Sequence, residues 1–193
     1  MTTDPDELNY LRVMVAKKRK KNSFWVWPDR PVEERGIATE ILRQGGVHVA
    51  DMRSRKQGED PPDCEATLDG RVSGVEVTEL IDQPSLERNL RELESPPEYF
   101  DWDKPTFLAA LQKRIDAKDR KWRGGRYERR VLVIHTDEFE LNRDIVSRFL
   151  ESARFRATLI TDAFLGLSYH SSAESGGGCY PVFRLSLHPT GET

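Results

Sequence analysis

The chain has 193 residues, of which 37% are hydrophobic and 33% charged, with a net charge of −3. This length suits one domain with a sizeable core. The negative net charge excludes a strong overall cationic field that would attract nucleic acid. Cys64 and Cys179 form neither a disulfide framework nor a zinc spacing. Since no apolar leader or membrane-length run is present, we expect a cytoplasmic protein with no membrane partner.

The N-terminal segment is predicted to be an arm, residues 1–30, followed by one domain, residues 31–193. A basic run in the arm supplies candidate nucleic-acid contacts: Lys17, Lys18, Arg19 and Lys20. The alternative interpretation is the solvated end of a short helix. Trp25 and Trp27 are better explained as packing anchors than as platforms for stacked bases.

The domain begins with a predicted helix over residues 31–46, which starts at Pro31 and ends at Gly45 and Gly46. A short strand is expected over residues 47–52. Within residues 64–80, two segments with the alternating pattern of β-strands flank Asp69 and Gly70. This residue pair is typical of a two-residue hairpin turn.

The second half of the chain continues with alternating helices and strands. The 3.6-residue period predicts a helix over residues 105–122, and residues 129–139 are typical of a strand buried on both faces. A helix over 142–155, two strands within 157–170 and a last strand over 179–187 complete the pattern. We therefore predict a mixed α/β sheet flanked by helices.

Two carboxylates in the hairpin are candidates for a metal site. Side chains alternate along a strand, so Glu76 and Thr78 face away from Val75 and Val77. Pairing about the turn places Asp63 directly opposite Glu76. Converging carboxylates suit Mg²⁺ or Mn²⁺, which can activate water for attack on a phosphodiester. The alternative is a solvent-facing hairpin with ordinary acidic residues.

The segments "PPD" and "GVEVTE" on either side of the turn resemble the core motif of the PD-(D/E)XK superfamily. The resemblance covers about residues 31–135. It implies a restriction-endonuclease-like fold with an α-β-β-β-α-β core and metal-dependent cleavage of nucleic acids. Asp63 matches the first acid and Glu76 the second, and the backbone carbonyl of Val77 commonly completes such a site.

One position departs from the family motif, because Thr78 stands where its lysine is expected. Some members of the superfamily carry the basic residue on the following helix. Lys118 lies three residues after Ile115 and so beside the apolar stripe, which favours it over Lys121; the alternative is a solvated basic face. Thr78 would donate a hydrogen bond in place of the lysine.

The first helix of this fold often adds a glutamate to the site. We favour Glu34 over Glu33 and Glu40, since it precedes Ile37 by three residues. Glu79 is expected to be structural or exposed. His48 and His135 are interpreted as structural residues.

The predicted function is divalent-metal-dependent hydrolysis of phosphodiester bonds in DNA, with RNA as the alternative substrate. Further basic residues are predicted to contact the nucleic-acid backbone: Lys121, Arg123, Arg126 and Arg129. A homodimer is an additional expected partner, since cutting a duplex requires two cuts. The alternatives are an inactive module of the same fold that binds nucleic acid or a protein, and a purely structural domain.

Overall fold

Helices pack on both faces of a mixed β-sheet. The computed structural model describes residues 29–55, 62–82, 87, 100–122, 127–138, 140–168 and 180–189. The helices are α1 (Arg30–Gln44), α2 (Lys104–Asp119) and α3 (Arg143–Leu150). The strands are β1 (Val49–Ser54), β2 (Cys64–Leu68), β3 (Arg71–Glu79), β4 (Arg129–Thr136), β5 (Phe155–Ala157), β6 (Asp162–Leu167), β7 (Val182–Leu185) and β8 (Leu187–Pro189).

The large sheet has the strand order β1-β2-β3-β4-β6-β7. Strands β1, β2 and β3 are antiparallel neighbours, β3, β4 and β6 run parallel, and β7 is antiparallel to β6. Strands β5 and β8 form a separate parallel pair. The predicted mixed α/β class is confirmed, and the described elements from α1 to β4 follow the predicted order of helix, three strands, helix and strand.

The β2–β3 hairpin has the register that the sequence predicts. Asp69 and Gly70 both have positive φ angles, of 48° and 80°, as a tight two-residue hairpin turn requires. Pairing runs from Leu68 opposite Arg71 to Cys64 opposite Val75. The next step of this register sets Asp63 beside Glu76, immediately before β2 begins.

Two apolar layers hold the helices against the sheet. On one face, Ile37 and Ile41 of α1 pack with residues of the central strands: Val75, Val77, Val131 and Val133. On the other face, Phe107 and Leu111 of α2 pack with Leu132 and Ile134. Strand β4 is therefore buried on both faces, as predicted, and Glu76 points toward the α2 layer.

Several element boundaries differ from the sequence prediction. Helix α2 ends at Asp119, and α3 ends at Leu150, followed by Ser152 with a positive φ of 60°. The last segment forms two strands because Leu185 pairs with Ala163 in the large sheet, whereas Leu187 pairs with Phe155 in the small one. The predicted arm, including Trp25 and Trp27, lies outside the described residues except at its last positions.

Gly74→Ala should destabilise the protein because β3 passes directly under an indole ring. A Cβ at this position would lie 2.7 Å from Trp122 Cη2 and 3.0 Å from Pro62 Cγ. Trp122 is buried, so we expect the free energy of unfolding to fall by about 1–3 kcal/mol, measured by urea denaturation.

Gly36→Ala is the matched control for this substitution. A Cβ at Gly36 meets nothing within 4 Å, and alanine is about 1 kcal/mol more favourable than glycine inside a helix. The control should therefore be neutral or stabilising. Equal destabilisation by both substitutions would contradict the proposed close approach of Trp122 to β3.

Candidate functional site

The candidate site lies where β2 begins beside the carboxyl-terminal half of β3. Backbone pairing between the two strands extends to Cys64 and Val75. Beyond this pair, a side chain replaces the backbone as the partner of β3: Asp63 Oδ2 accepts a hydrogen bond from the Val77 N–H at 2.7 Å. This bond fixes the Asp63 carboxylate next to the strand that carries Glu76.

Glu76 is a buried carboxylate in the middle of the sheet, with 2% of its side chain exposed. Its Oε2 contacts the Lys118 ammonium in an ion pair. The same Nζ lies 3.7 Å from Asp63 Oδ2. The side chains of Asp63 and Lys118 are only 9% and 14% exposed, so one ammonium serves two carboxylates in a largely desolvated place.

Helix α2 brings Lys118 to the acid pair. Its apolar stripe of Phe107, Leu111 and Ile115 is fully buried, and Lys118 follows this stripe by three residues. The end of the helix is fixed by Asp119, which accepts bonds from three consecutive backbone N–H groups, at 3.0, 2.8 and 2.7 Å: those of Thr158, Leu159 and Ile160. Our prediction omitted Asp119, although its place four residues after Ile115 continues the buried stripe.

Glu34 joins the site from α1, on the opposite side from α2. Burial, followed by the negative charge of Asp63, raises the pKa of Glu34, while Arg30 and Lys118 counteract this shift. Arg30 Nε donates to Glu34 Oε1 at 2.7 Å. Of the other two candidates on α1, Glu33 lines the adjacent cleft, whereas Glu40 accepts a bond from Gln44 further along the helix.

A cleft of about 390 Å³ opens beside these residues. Its walls come from the start of α1, the ends of β3 and β4, and α2: Arg30, Glu33, Glu34, Ile37, Val77, Thr78, Glu79, Lys118 and His135. The structure therefore places Thr78 and Val77 at the same opening as Lys118. A phosphate-sized group entering the cleft would meet one ammonium and several carboxyl groups.

Two cleft residues were given no functional role from the sequence. Glu79 is half-buried, and burial together with the charges of Asp137 and Glu138 raises its pKa to about 7. His135 is buried; burial lowers its pKa to about 4. Its Nδ1 has no hydrogen-bond partner among the described residues. Both environments depend on segments distant in sequence, so local patterning gave no signal for them.

The chemistry of the acid pair fits a hard divalent ion. Among the described residues, no group of three or more His, Cys, Asp and Glu side chains is arranged to hold a metal. Mg²⁺ commonly binds through one or two carboxylates and completes its shell with water and substrate phosphate. Asp63 and Glu76 satisfy that smaller requirement, and the Val77 carbonyl is the further ligand that the family resemblance implies.

The predicted nucleic-acid contacts are only partly described. Lys17, Lys18, Arg19, Lys20, Arg123 and Arg126 lie outside the described residues. Lys121 is exposed just after α2. Arg129 is buried at the start of β4, where it bonds to Asp162 at 3.1 Å and Asp69 at 2.9 Å. The structure therefore does not place Arg129 on an accessible surface, contrary to our expectation.

His135 should make the protein less stable as the pH falls. Its folded pKa of about 4 lies below its ordinary value of 6.5, so between these values the unfolded chain binds a proton that the folded chain excludes. We expect this effect to remove about 2 kcal/mol of stability between pH 7 and pH 5. The difference is measured by urea denaturation of wild type and His135→Leu at both pH values.

His135→Leu should lose this component of the pH dependence of stability, because leucine cannot be protonated. His48→Gln changes an exposed histidine and should keep it. Parallel stability curves for wild type and His135→Leu would show that the buried imidazole is not the cause.

Comparison with known proteins adds no identification. Searches against family models, curated proteins and solved structures find no significant match to this chain. Within the described ranges, every helix is too short or too polar to cross a membrane. The function of this chain therefore has to be inferred from the residues and geometry of the site.

Proposed function

We propose that the protein is a divalent-metal-dependent nuclease with a restriction-endonuclease-like fold, which hydrolyses phosphodiester bonds in DNA rather than RNA. The observation that supports this most directly is the contact of one ammonium, Lys118 Nζ, with the carboxylates of both Asp63 and Glu76. Two acids from a hairpin and a lysine beside an open cleft form the polar set that such a reaction requires.

The fold assignment is supported by the order of elements and the place of the acids. Helix α1, the three antiparallel strands, α2 and the parallel strand β4 follow the α-β-β-β-α-β core. Asp63 immediately precedes the second strand and Glu76 lies in the third. The motif and the element order therefore both support the proposed superfamily.

In the proposed site, Asp63 and Glu76 hold Mg²⁺ or Mn²⁺, with the Val77 carbonyl as a further ligand. The ion would supply an activated water and stabilise the negative charge that develops on the phosphate. The Val77 N–H holds Asp63 in place. Glu34, whose raised pKa reflects burial and the Asp63 charge, lies where it can accept a hydrogen bond from a water in the cleft.

Lys118 takes the part of the lysine that the family motif places at position 78. It reaches the acids from α2 rather than from β3 itself. Lys118 is proposed to orient the attacking water or the phosphate, and Thr78, which lines the same cleft, to donate a hydrogen bond. The relocated lysine is thus compatible with an active site.

Basic residues beyond the cleft are proposed to contact the DNA backbone. Exposed Lys121 lies one turn beyond Lys118, and the basic residues of the arm and of residues 123–126 would extend the contact with the DNA backbone. We also propose a homodimer that makes one cut in each strand, which sedimentation would test. We propose a cytoplasmic location as well, which cell fractionation would test.

A second candidate function is an inactive module of this fold that binds nucleic acid or a protein. It is favoured by the same ion pair, because the Lys118 ammonium already offsets one of the two negative charges of the acids without a metal. Among the described residues, no group of three or more His, Cys, Asp and Glu side chains is arranged to hold a metal, which is also consistent with an inactive module. Activity and metal binding separate the two candidates.

Glu76→Gln should abolish metal-dependent cleavage while keeping the side-chain volume. Because outer-shell changes at metal sites already cost about 10–100-fold, loss of a direct ligand should lower the rate by at least about 100-fold. The assay compares wild type, Glu76→Gln and Asp63→Asn on plasmid, single-stranded DNA and RNA with Mg²⁺ or Mn²⁺. Glu128→Gln, an exposed acid outside the cleft, is the control and should cleave like wild type.

Cleavage that survives both Glu76→Gln and Asp63→Asn would refute the site. Wild-type protein that neither cleaves a substrate nor binds Mn²⁺ would support the inactive module. Binding of nucleic acid with a steep salt dependence would then indicate a nucleic-acid partner rather than a protein.

A further inference from the structure

We infer that Lys118 is a built-in competitor of the divalent ion: its ammonium occupies the cation position of the acid pair, and metal binding displaces it toward the cleft. This inference rests on the proposed function and adds a regulation of that site. In this order of events the metal binds first, and Lys118 is then released to contact the substrate.

The overlap follows from the contacts of Lys118. A divalent ion shared by two carboxylates lies about 2.0–2.2 Å from an oxygen of each. Lys118 Nζ already contacts Glu76 Oε2 and lies 3.7 Å from Asp63 Oδ2. An ion bound to these two atoms would therefore come within close range of the ammonium, and the two cations repel strongly where little solvent screens them.

The acids are better fixed than the lysine. Glu76 is built into a central strand, and Asp63 is held by the Val77 N–H at 2.7 Å. Lys118 reaches them through a flexible four-carbon stem, while Asp119 anchors its helix. Displacement therefore requires only a side-chain movement, and the cleft that Lys118 lines offers space for it.

The charge balance gives this exchange a consequence for substrate. Among the contacts described, Lys118 compensates Asp63 and Glu76, while Arg30 pairs with Glu34. A divalent ion would neutralise the acid pair alone and leave the ammonium without its partners. A phosphate that enters the cleft would then contact an ammonium no longer engaged by the acid pair, beside the carboxyl groups of Glu33, Glu34 and Glu79, so that metal and nucleic acid should strengthen each other's binding.

The test measures Mn²⁺ binding to the metal-free full chain by titration calorimetry and by electron paramagnetic resonance of free Mn²⁺. The proteins are wild type, Lys118→Met, Lys118→Gln and Lys113→Met. Methionine removes the charge at similar length, and glutamine removes it while retaining a donor for Glu76. Lys113 is an exposed lysine of the same helix and controls for a general change of charge.

Both Lys118 variants should bind Mn²⁺ at least about tenfold more tightly than wild type, because the competing cation is gone. Lys113→Met should bind like wild type. Without metal, the Lys118 variants should also melt at a lower temperature than wild type, since the acid pair loses the ammonium that contacts it. Saturating Mn²⁺ should raise their melting temperature by more than it raises that of wild type.

Unchanged or weaker Mn²⁺ binding in both Lys118 variants would overturn the inference. If wild type cleaves DNA in the same preparation, the proposed nuclease survives that result. Conversely, tight Mn²⁺ binding only after removal of Lys118, without cleavage by wild type, would support the competition and refute the nuclease.

Discussion

The ion pair between Glu76 and Lys118 constrains how the rest of this molecule can be assembled. A carboxylate in the middle of a central strand, with 2% of its side chain exposed, is costly unless a cation reaches it. That cation comes from α2, which must therefore lie over β3 with its last turn directly beside Glu76. The apolar stripe of Phe107, Leu111 and Ile115 sets the face of α2, and Asp119 fixes its end.

The hairpin and the placement of Asp63 beside Glu76 could be predicted from sequence because the turn and the alternation along the strands determine them. Asp69 and Gly70 accept positive φ angles, and the turn then fixes which residues lie opposite each other. Alternation along β3 separates Glu76 from Val75 and Val77. Lys118 was accessible to the same reasoning, since the buried stripe of a helix marks which neighbouring side chains face the sheet. Their chemical roles remain predictions, because geometry alone does not test a reaction.

The environments that escaped prediction all depend on contacts between distant segments. Arg129 belongs to a locally basic stretch, yet Asp69 and Asp162 enclose it at the far end of the sheet. Burial shifts the pKa values of both Glu79 and His135, and the charges of Asp137 and Glu138, just after β4, add to the shift of Glu79. The last segment divides between two sheets because β7 pairs with β6 and β8 pairs with β5. Periodicity within one segment contains no information on such partners.

Thr78, at the position of the lysine in the PD-(D/E)XK motif that this hairpin resembles, does not by itself indicate a decayed site. One ammonium is enough to compensate Glu76, and a second from position 78 would crowd a place that Lys118 already fills. A purely structural role explains the charges less well, since well-packed apolar residues of similar volume often stabilise a core as much as a buried ion pair does. A buried acid, a half-buried acid, a lysine on a flexible stem and an open polar cleft are instead arranged as a functional site would be. We therefore propose a nuclease whose lysine comes from the helix rather than from the strand, in preference to a module that has lost its chemistry.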